Sequence, residues 1–167
     1  MKAAILDGCR RVSDEVYYAV KSPFVVTSSL VSALCEIAAF NQSGKVRICF
    51  HASPDDTVHD MLIALDSKAD IRPHSHRVKA ESFQVLEGAL KVIFYDEMGI
   101  PTQSIKLVAA GAEKDNLETS FYCRIPAGLI HTVVPQTDSV VFREVTDGPF
   151  KPKDTIYPDW ADIGKFK

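Results

Sequence analysis

Three histidines and one glutamate stand out in this sequence, because their side chains are metal ligands and their spacing could bring them together. His74 and His76 form a His-x-His pair, Glu81 follows the pair closely, and His131 comes after a Pro-x-Gly turn at Pro126–Gly128. Imidazole nitrogens and carboxylate oxygens bind divalent transition metals. Residues two apart in a β-strand point to the same face, so a strand through His74 and His76 would aim both rings at one ion.

An isolated His-x-His pair is weak evidence, because so short a motif arises by chance and is often only half-buried. Three further features strengthen it here. Glu81 lies at hairpin spacing after the pair, Gly88 lies where the return strand would turn, and a third histidine directly follows the Pro-x-Gly turn. Together they favour a metal site over an incidental pair of histidines.

These residues resemble the two motifs of the cupin superfamily. The first cupin motif contains a His-x-His pair, a glutamate and a glycine, and the second is centred on Pro-x-Gly-x-x-His. The resemblance implies an all-β fold, the cupin double-stranded β-helix or jelly-roll barrel. It also implies that the three histidines and the glutamate hold one metal ion. The matching residues are His74, His76, Glu81 and Gly88 in the first motif and Pro126, Gly128 and His131 in the second.

A longer stretch, roughly residues 50 to 162, resembles the WbuC-type cupin metalloproteins. That family is associated with surface-polysaccharide gene clusters. The resemblance implies a divalent-metal-binding cupin that acts on a small polar molecule, such as a carbohydrate or nucleotide sugar. An isomerase- or epimerase-like reaction, an iron-dependent dioxygenase reaction and non-catalytic binding of a ligand or metal are all open. The matching segments are 72–76, 79–81, 85–88, 92–99, 130–134 and 147–160.

A metal ion held by three imidazoles and one carboxylate would keep open positions for water or substrate. It could act as a Lewis acid, generate hydroxide near neutral pH, or bind oxygen if it is redox-active. These ligand types accept Fe, Mn, Ni or Zn, so the sequence predicts one divalent transition metal and favours iron or manganese without deciding its identity.

Other residues near these motifs are candidates for substrate binding or proton transfer. Glu144, on a late strand, could move a proton. Phe83 shares strand parity with Glu81 and should line the barrel interior. Lys79 could bind a substrate anion. Cys123, just before the second motif, could face the interior, although a buried cysteine is usually only packed.

Two arginines and a histidine are weaker candidates. Arg72 and Arg124 could bind a carboxylate, phosphate or sugar pyrophosphate through paired donors, although arginines are more often surface ion-pair partners. His51 ends a strand and could lie at the mouth of the barrel, whereas His59 is expected to be a surface or hydrogen-bonded residue.

Composition excludes several classes of protein. The 167 residues are 46 % hydrophobic and 25 % charged, as expected of one globular domain with a real core. The net charge of −3 and the scattered lysines and arginines give no case for nucleic-acid binding. No stretch approaches the roughly 20 apolar residues of a membrane helix. The early charges at Lys2 and Asp7 argue against a signal-peptide core, so we expect a cytoplasmic protein.

The pattern of elements predicts a helical segment followed by strands. Apolar spacing predicts a helix over about 28 to 42, capped by Thr27 or Ser28, whereas 14–20 is ambiguous between helix and strand. We therefore expect an N-terminal helical extension over 1–45, a barrel over 46–147 and a tail over 148–167, anchored by Tyr157 and Trp160. Open sheet edges and the N-terminal segment favour a homodimer. The other expected partner is a small-molecule ligand. The predicted strands are 46–50, 61–65, 83–86, 90–95, 104–109, 121–125, 130–135 and 140–145.

Overall fold

Strands dominate the chain from residue 45 onward, as their alternating apolar residues predict. The computed structural model describes residues 6–112 and 119–162, which contain one α-helix and twelve strands. Their bounds are β1 (Cys9–Arg11), β2 (Val16–Ala19), α1 (Ser28–Phe40), β3 (Lys45–Cys49), β4 (Val58–Asp66), β5 (Ser75–His76), β6 (Glu81–Glu87), β7 (Ala89–Tyr95), β8 (Pro101–Val108), β9 (Tyr122–Ile125), β10 (Ile130–Pro135), β11 (Ser139–Asp147) and β12 (Thr155–Ile156).

Two sheets form the walls of a jelly-roll barrel. The larger has the order β1-β2-β3-β4-β11-β6-β9, the smaller has the order β10-β7-β8, and β12 and β5 form a separate pair. All pairs are antiparallel except β2 with β3. Side chains from both sheets share one buried apolar cluster, so the core lies inside the barrel. Its members include Leu65, Phe83, Val85, Leu90, Val92, Phe94, Leu107, Val133 and Phe142.

The helix α1 lies on the outer face of the larger sheet. Thr27 caps its start, because its hydroxyl accepts a hydrogen bond from the backbone N–H of Leu30. The helix ends at Phe40, two residues earlier than predicted, because Asn41 is extended. The side-chain amide of Asn41 donates to the backbone oxygens of Asp14 and Lys45 and so holds the chain where it leaves the helix. The helix buries Val31, Leu34, Ile37 and Ala38 against Val46, Ile48, Leu62, Ala64 and Val141.

The N-terminal segment is not only helical. The ambiguous stretch 14–20 forms β2, which pairs with β1 on one side and with β3 on the other. The larger sheet therefore begins before residue 45, and the predicted division at 45/46 does not coincide with an edge of the sheet.

Two glycines of the motifs occupy left-handed backbone conformations that other residues rarely adopt. Gly88 has a φ of 75° between β6 and β7, and Gly128 has a φ of 88° in the turn before β10. A Cβ on Gly88 would also lie 2.4 Å from the backbone oxygen of Ser139. Both positions therefore favour glycine because of the turns that carry the metal-site strands.

The tail packs on the barrel and carries more regular structure than its prolines suggest. It contains two short 3-10 helices, at Pro152–Asp154 and Asp159–Asp162, with β12 between them. Trp160 stacks at 5.3 Å from Tyr95 and donates its indole N–H to the backbone oxygen of Glu97. The tail is thus anchored where the sequence predicted.

All four cysteines are free, namely Cys9, Cys35, Cys49 and Cys123. The connection between β8 and β9 begins as a turn, and residues 113–118 lie outside the described residues. Within the described residues, no helix has the length and apolar character needed to cross a membrane.

Candidate metal centre

The two motifs meet because their strands pair. The backbone N–H of His74 donates to the oxygen of His131 at 3.0 Å, and the N–H of His131 donates to the oxygen of His74 at 2.9 Å. His74 and His131 are therefore directly opposed, and their side chains lie on the same face. His76 is in β5 and Glu81 is the first residue of β6. The predicted strand through the histidine pair is present, although it is short.

An oxygen atom lies beside the Nδ1 atom of each histidine. Nδ1 of His74 is 2.9 Å from the backbone oxygen of Arg72, and Nδ1 of His131 is 3.0 Å from that of Leu129. Nδ1 of His76 is 3.3 Å from Oγ1 of Thr155. A carbonyl oxygen only accepts, so Nδ1 of His74 and of His131 must carry the proton and Nε2 is the bare nitrogen. This is how proteins usually orient a histidine that binds a metal.

The candidate ligand atoms lie close together. One ligand atom each from His74, Glu81 and His131 lies within 4.8 Å of the others. His76 lies outside this group of three, but its Nε2 is 2.9 Å from Oε1 of Glu81. Nε2 of His131 is 3.0 Å from Oε2 of the same carboxylate. Glu81 therefore joins the two halves of the cluster.

Among the described residues, three buried polar atoms at this centre have no hydrogen-bond partner, namely Nε2 of His76, Oε2 of Glu81 and Nε2 of His131. The two imidazole nitrogens lie close to the carboxylate of Glu81 without the alignment of hydrogen bonds. Buried polar atoms are nearly always satisfied, so several orphans at one point need an explanation. A shared cation would satisfy all three. The residues present therefore fit a metal ion.

The charges of these side chains suit a cation. Burial alone would raise the pKa of Glu81, but the imidazoles of His131 and His76 outweigh burial and hold it well below its usual range. Burial lowers the pKa of His74 to about 4, and the neighbouring His131 contributes to the same shift. At neutral pH the carboxylate is therefore ionised and His74 is neutral, the forms that bind metals.

The centre opens into a cavity of about 230 Å³ inside the barrel. Besides the ligands, the cavity is lined by apolar side chains, including Phe83, Phe142 and Val133, and by charged residues, namely Glu15, Lys45, Arg47 and Glu144. Strand register places Glu144 opposite Met61 on β4 and Phe83 on β6. Burial raises the pKa of Glu144, and the nearby charge of Glu81 raises it further. A largely apolar wall with a few polar groups suits a ligand pocket.

The other residues predicted from the sequence are spread over three places. Phe83 lies in the core, as its parity predicts, and Cys123 packs against the same cluster. Lys79 and His51 are buried and line an adjoining cavity. Arg72 lies over the ring of Tyr157 at 4.4 Å, on the tail.

Arg124 lies elsewhere. It is exposed on β9, where the buried Ile125 next to it points inward and pairs with Glu81. Successive residues of a strand face opposite sides of the sheet, so Arg124 points away from the barrel interior. It is not among the residues that line the two cavities near the metal centre. Arg124 therefore lies apart from the candidate metal centre, and its binding of a substrate stays a prediction.

Sequence reasoning also missed residues at this centre. Arg47 lines both cavities from β3, and His59 is buried with its Nε2 3.1 Å from the backbone oxygen of Pro54. Only the hydrogen-bonded alternative for His59 is therefore confirmed. Thr155 was missed because its contact with His76 depends on the pairing of β12 with β5. The alternation of β3 was the one signal that could have indicated Arg47.

Comparisons with known proteins agree with this architecture. Residues 26–107 match a family model described as a domain of unknown function, DUF6016. No curated protein shows significant sequence similarity to the chain. Protein SO0799 from Shewanella oneidensis has a TM-score of 0.50 and 14 % identity, and the match covers 65 % of each chain. This chain therefore spans just under two thirds of the length of protein SO0799.

Two further solved structures are similar. The capsular polysaccharide assembling protein CapF from Staphylococcus aureus has a TM-score of 0.49 and 23 % identity, over 66 % of this chain and 29 % of that one. A cupin superfamily protein from Desulfitobacterium hafniense has a TM-score of 0.43 and 17 % identity, over 62 % and 76 % of the two chains. The observation that decides the fold comes from the chain itself. Its two facing sheets bring the His-x-His motif and the Pro-x-Gly-x-x-His motif to one point. The chain has the cupin fold. As in other jelly rolls, the space between the two sheets is available for a ligand.

Proposed function

We propose that this cupin binds one divalent transition metal through His74, His76, Glu81 and His131 and acts on a small polar molecule in the adjoining cavity. The observation that carries the proposal is the convergence of three orphaned buried atoms, on His76, Glu81 and His131. The oxygen beside Nδ1 of each histidine supports it, because each such contact leaves Nε2 directed at the common point.

The metal would act as a Lewis acid on an oxygen of the bound molecule. The protein supplies the remaining chemistry. Phe83 and Phe142 exclude water from the wall of the cavity. Glu144 is the candidate proton carrier, since burial raises its pKa toward neutrality, where a carboxyl group can both give and accept a proton.

The volume of the cavity limits the size of the molecule that can bind at the metal. Its volume of about 230 Å³ is below the range of about 300–1,000 Å³ that is usual for drug-sized ligands. It would accommodate one sugar ring or a smaller molecule at the metal. The carbohydrate or nucleotide-sugar class, and a role in surface-polysaccharide metabolism, follow from the resemblance to the WbuC-type cupins.

Metal analysis of the purified protein tests the ligand set. We expect about one ion per chain in the wild type and little or none in His131→Ala or His76→Ala. His59→Ala is the matched control, because His59 is buried but lies outside the ligand set. Circular dichroism and melting curves would show that each variant is folded. Unchanged metal content in folded His131→Ala would exclude the assignment.

The reaction is tested with protein loaded in turn with Fe, Mn, Ni and Zn. Deuterium exchange from solvent into a panel of nucleotide sugars, read by NMR, is expected for the wild type and not for Glu144→Gln. Metal content should be the same in both. Oxygen consumption with iron and small diols would indicate a dioxygenase instead, and melting shifts without turnover would indicate a binding protein.

A further inference from the structure

A second cavity adjoins the metal centre. It has a volume of about 150 Å³ and shares Arg47, Glu81 and Glu144 with the first cavity, so the two are neighbours across these side chains. Its remaining wall includes Lys79 and Phe150. It is too small for a whole ligand of ordinary size but large enough for one polar group of a ligand.

Lys79 is the unusual residue of this cavity. Its side chain is only 7 % exposed, although lysine is rarely buried unless it is paired. Its Nζ lies 5.4 Å from the centre of the Phe150 ring, a contact that partly compensates the charge. Within residues 6–112 and 119–162, no carboxylate forms an ion pair with it. A lysine so enclosed and without a counterion leaves a place for an anion at its ammonium group.

The charges around the cavity are arranged for an anion. Arg47 provides a second cation on the same wall, and its guanidinium remains charged at any physiological pH. The carboxylate of Glu81 is turned to His76 and His131 rather than to Lys79. Of the two carboxylates on this wall, only that of Glu144 is left to face Lys79 and Arg47.

The sequence and register explain how these groups meet. Lys79 lies just before β6, and Arg47 reaches the cavity from β3, where it pairs with Ile63 of β4. Phe150 comes from the tail and covers Lys79. Three distant parts of the chain therefore build one cationic site around the buried Lys79, which makes an incidental surface lysine a poor explanation.

We propose that this second cavity binds the anionic group, a carboxylate or a phosphate, of the molecule whose other end lies at the metal centre. Lys79 is the principal contact and Arg47 the second. The placement of the other end of the molecule at the metal rests on the proposed function. The anion site itself depends only on the side chains of the second cavity. The substrate class is then an acidic sugar or a sugar phosphate rather than a neutral sugar.

Binding of small anions to the purified protein tests the proposal. Acetate and inorganic phosphate are titrated separately by isothermal calorimetry, which distinguishes a carboxylate from a phosphate. We expect at least one of them to bind the wild type at one site, and at least tenfold weaker binding in Lys79→Met. Lys79→Arg, which keeps the charge, should retain most of the affinity. Lys106→Met is the matched control, because Lys106 is exposed on β8.

A metal-deficient variant separates this proposal from the proposed function. His131→Ala should lose the metal and still bind the anion through Lys79. If neither anion binds the folded wild type, or if Lys79→Met binds as tightly as Lys106→Met, the second cavity is not an anion site, whatever the metal content. If the anion binds wild type but not His131→Ala, the metal and not Lys79 holds it, and the proposal is overturned.

Discussion

Thr155 places its hydroxyl oxygen 3.3 Å from Nδ1 of His76, although the two residues are 79 positions apart. They are opposed in register, because β12 of the tail pairs with β5. The tail therefore contributes directly to the orientation of a candidate metal ligand. It is part of the centre, and not only a packed extension of the barrel.

Replacing Thr155 with valine should weaken metal binding without unfolding the protein. The change keeps the shape of the side chain and removes the oxygen beside Nδ1 of His76. Loss of such a contact typically costs about tenfold or more in metal affinity. Competition with a zinc indicator would measure it.

Thr102→Val is the control for this change, because Thr102 is exposed on β8. It should leave the affinity unaltered. Equal affinities of the two variants would show that the contact at Nδ1 of His76 is unimportant.

Gly88→Ala should destabilise the protein more than Gly111→Ala does. Both glycines have a positive φ, of 75° and 80°, so both substitutions strain the backbone by about 1–3 kcal/mol. At Gly88 the new Cβ would also collide with a backbone oxygen, that of Ser139 at 2.4 Å, whereas no atom of the described residues lies within 4 Å at Gly111.

Urea unfolding of the two glycine variants measures the difference. An additional loss of about 1–3 kcal/mol is expected for Gly88→Ala, because overpacking costs that much in a well-packed region. Equal losses would mean that the β6–β7 turn moves aside without cost.

The residues of the candidate centre could be predicted because their signals are local. The His-x-His pair needs only the two-residue period of a strand, and the glycines at 88 and 128 need only their turns. Phe83 follows from Glu81 by parity alone. The helix α1 was also predictable, since its apolar face repeats at helical spacing and Thr27 can cap it.

The features that the sequence did not predict depend on pairings between strands that are distant in the chain. The stretch 14–20 alternates weakly, and it is a strand because β3 offers it a parallel partner. Thr155 and Arg47 reach the centre only through the registers of β12 and β3. Arg124 faces away from the barrel interior because a one-residue difference in parity turns a side chain to the other face of a sheet.

Cys123 should react very slowly with thiol reagents in the native protein. Burial raises its pKa to about 11, and the nearby Glu81 adds to the shift. At pH 8 only about one thiol in a thousand would be ionised, and the thiolate is the reactive form. A variant that keeps Cys123 as its single cysteine would be labelled with a chromogenic disulfide before and after unfolding in urea. Rapid labelling of the folded form would contradict this.

Glu144→Gln should change how stability depends on pH in the metal-free protein. Burial raises the pKa of Glu144 to about 8 in the folded protein, above its ordinary value of 4.5. The folded state therefore keeps a proton that the unfolded chain releases between these values. The resulting stability is fully present below about pH 4.5 and is lost as the pH rises through 8. Glutamine does not titrate, so this loss should disappear.

The difference between the wild type and Glu144→Gln over pH 6.5 to 8 isolates Glu144. Burial lowers the pKa of His74 to about 4 in the folded protein, below its ordinary 6.5, and the titration of His74 affects both proteins alike. Over the chosen interval the wild type should lose about 1 kcal/mol relative to Glu144→Gln, a value reduced from the full shift because the side chain is only partly buried. Glu36→Gln, exposed on α1, is the control and should track the wild type. Parallel curves for all three proteins in urea titrations with chelator would show that Glu144 is ionised in the fold and cannot hold the proton assigned to it.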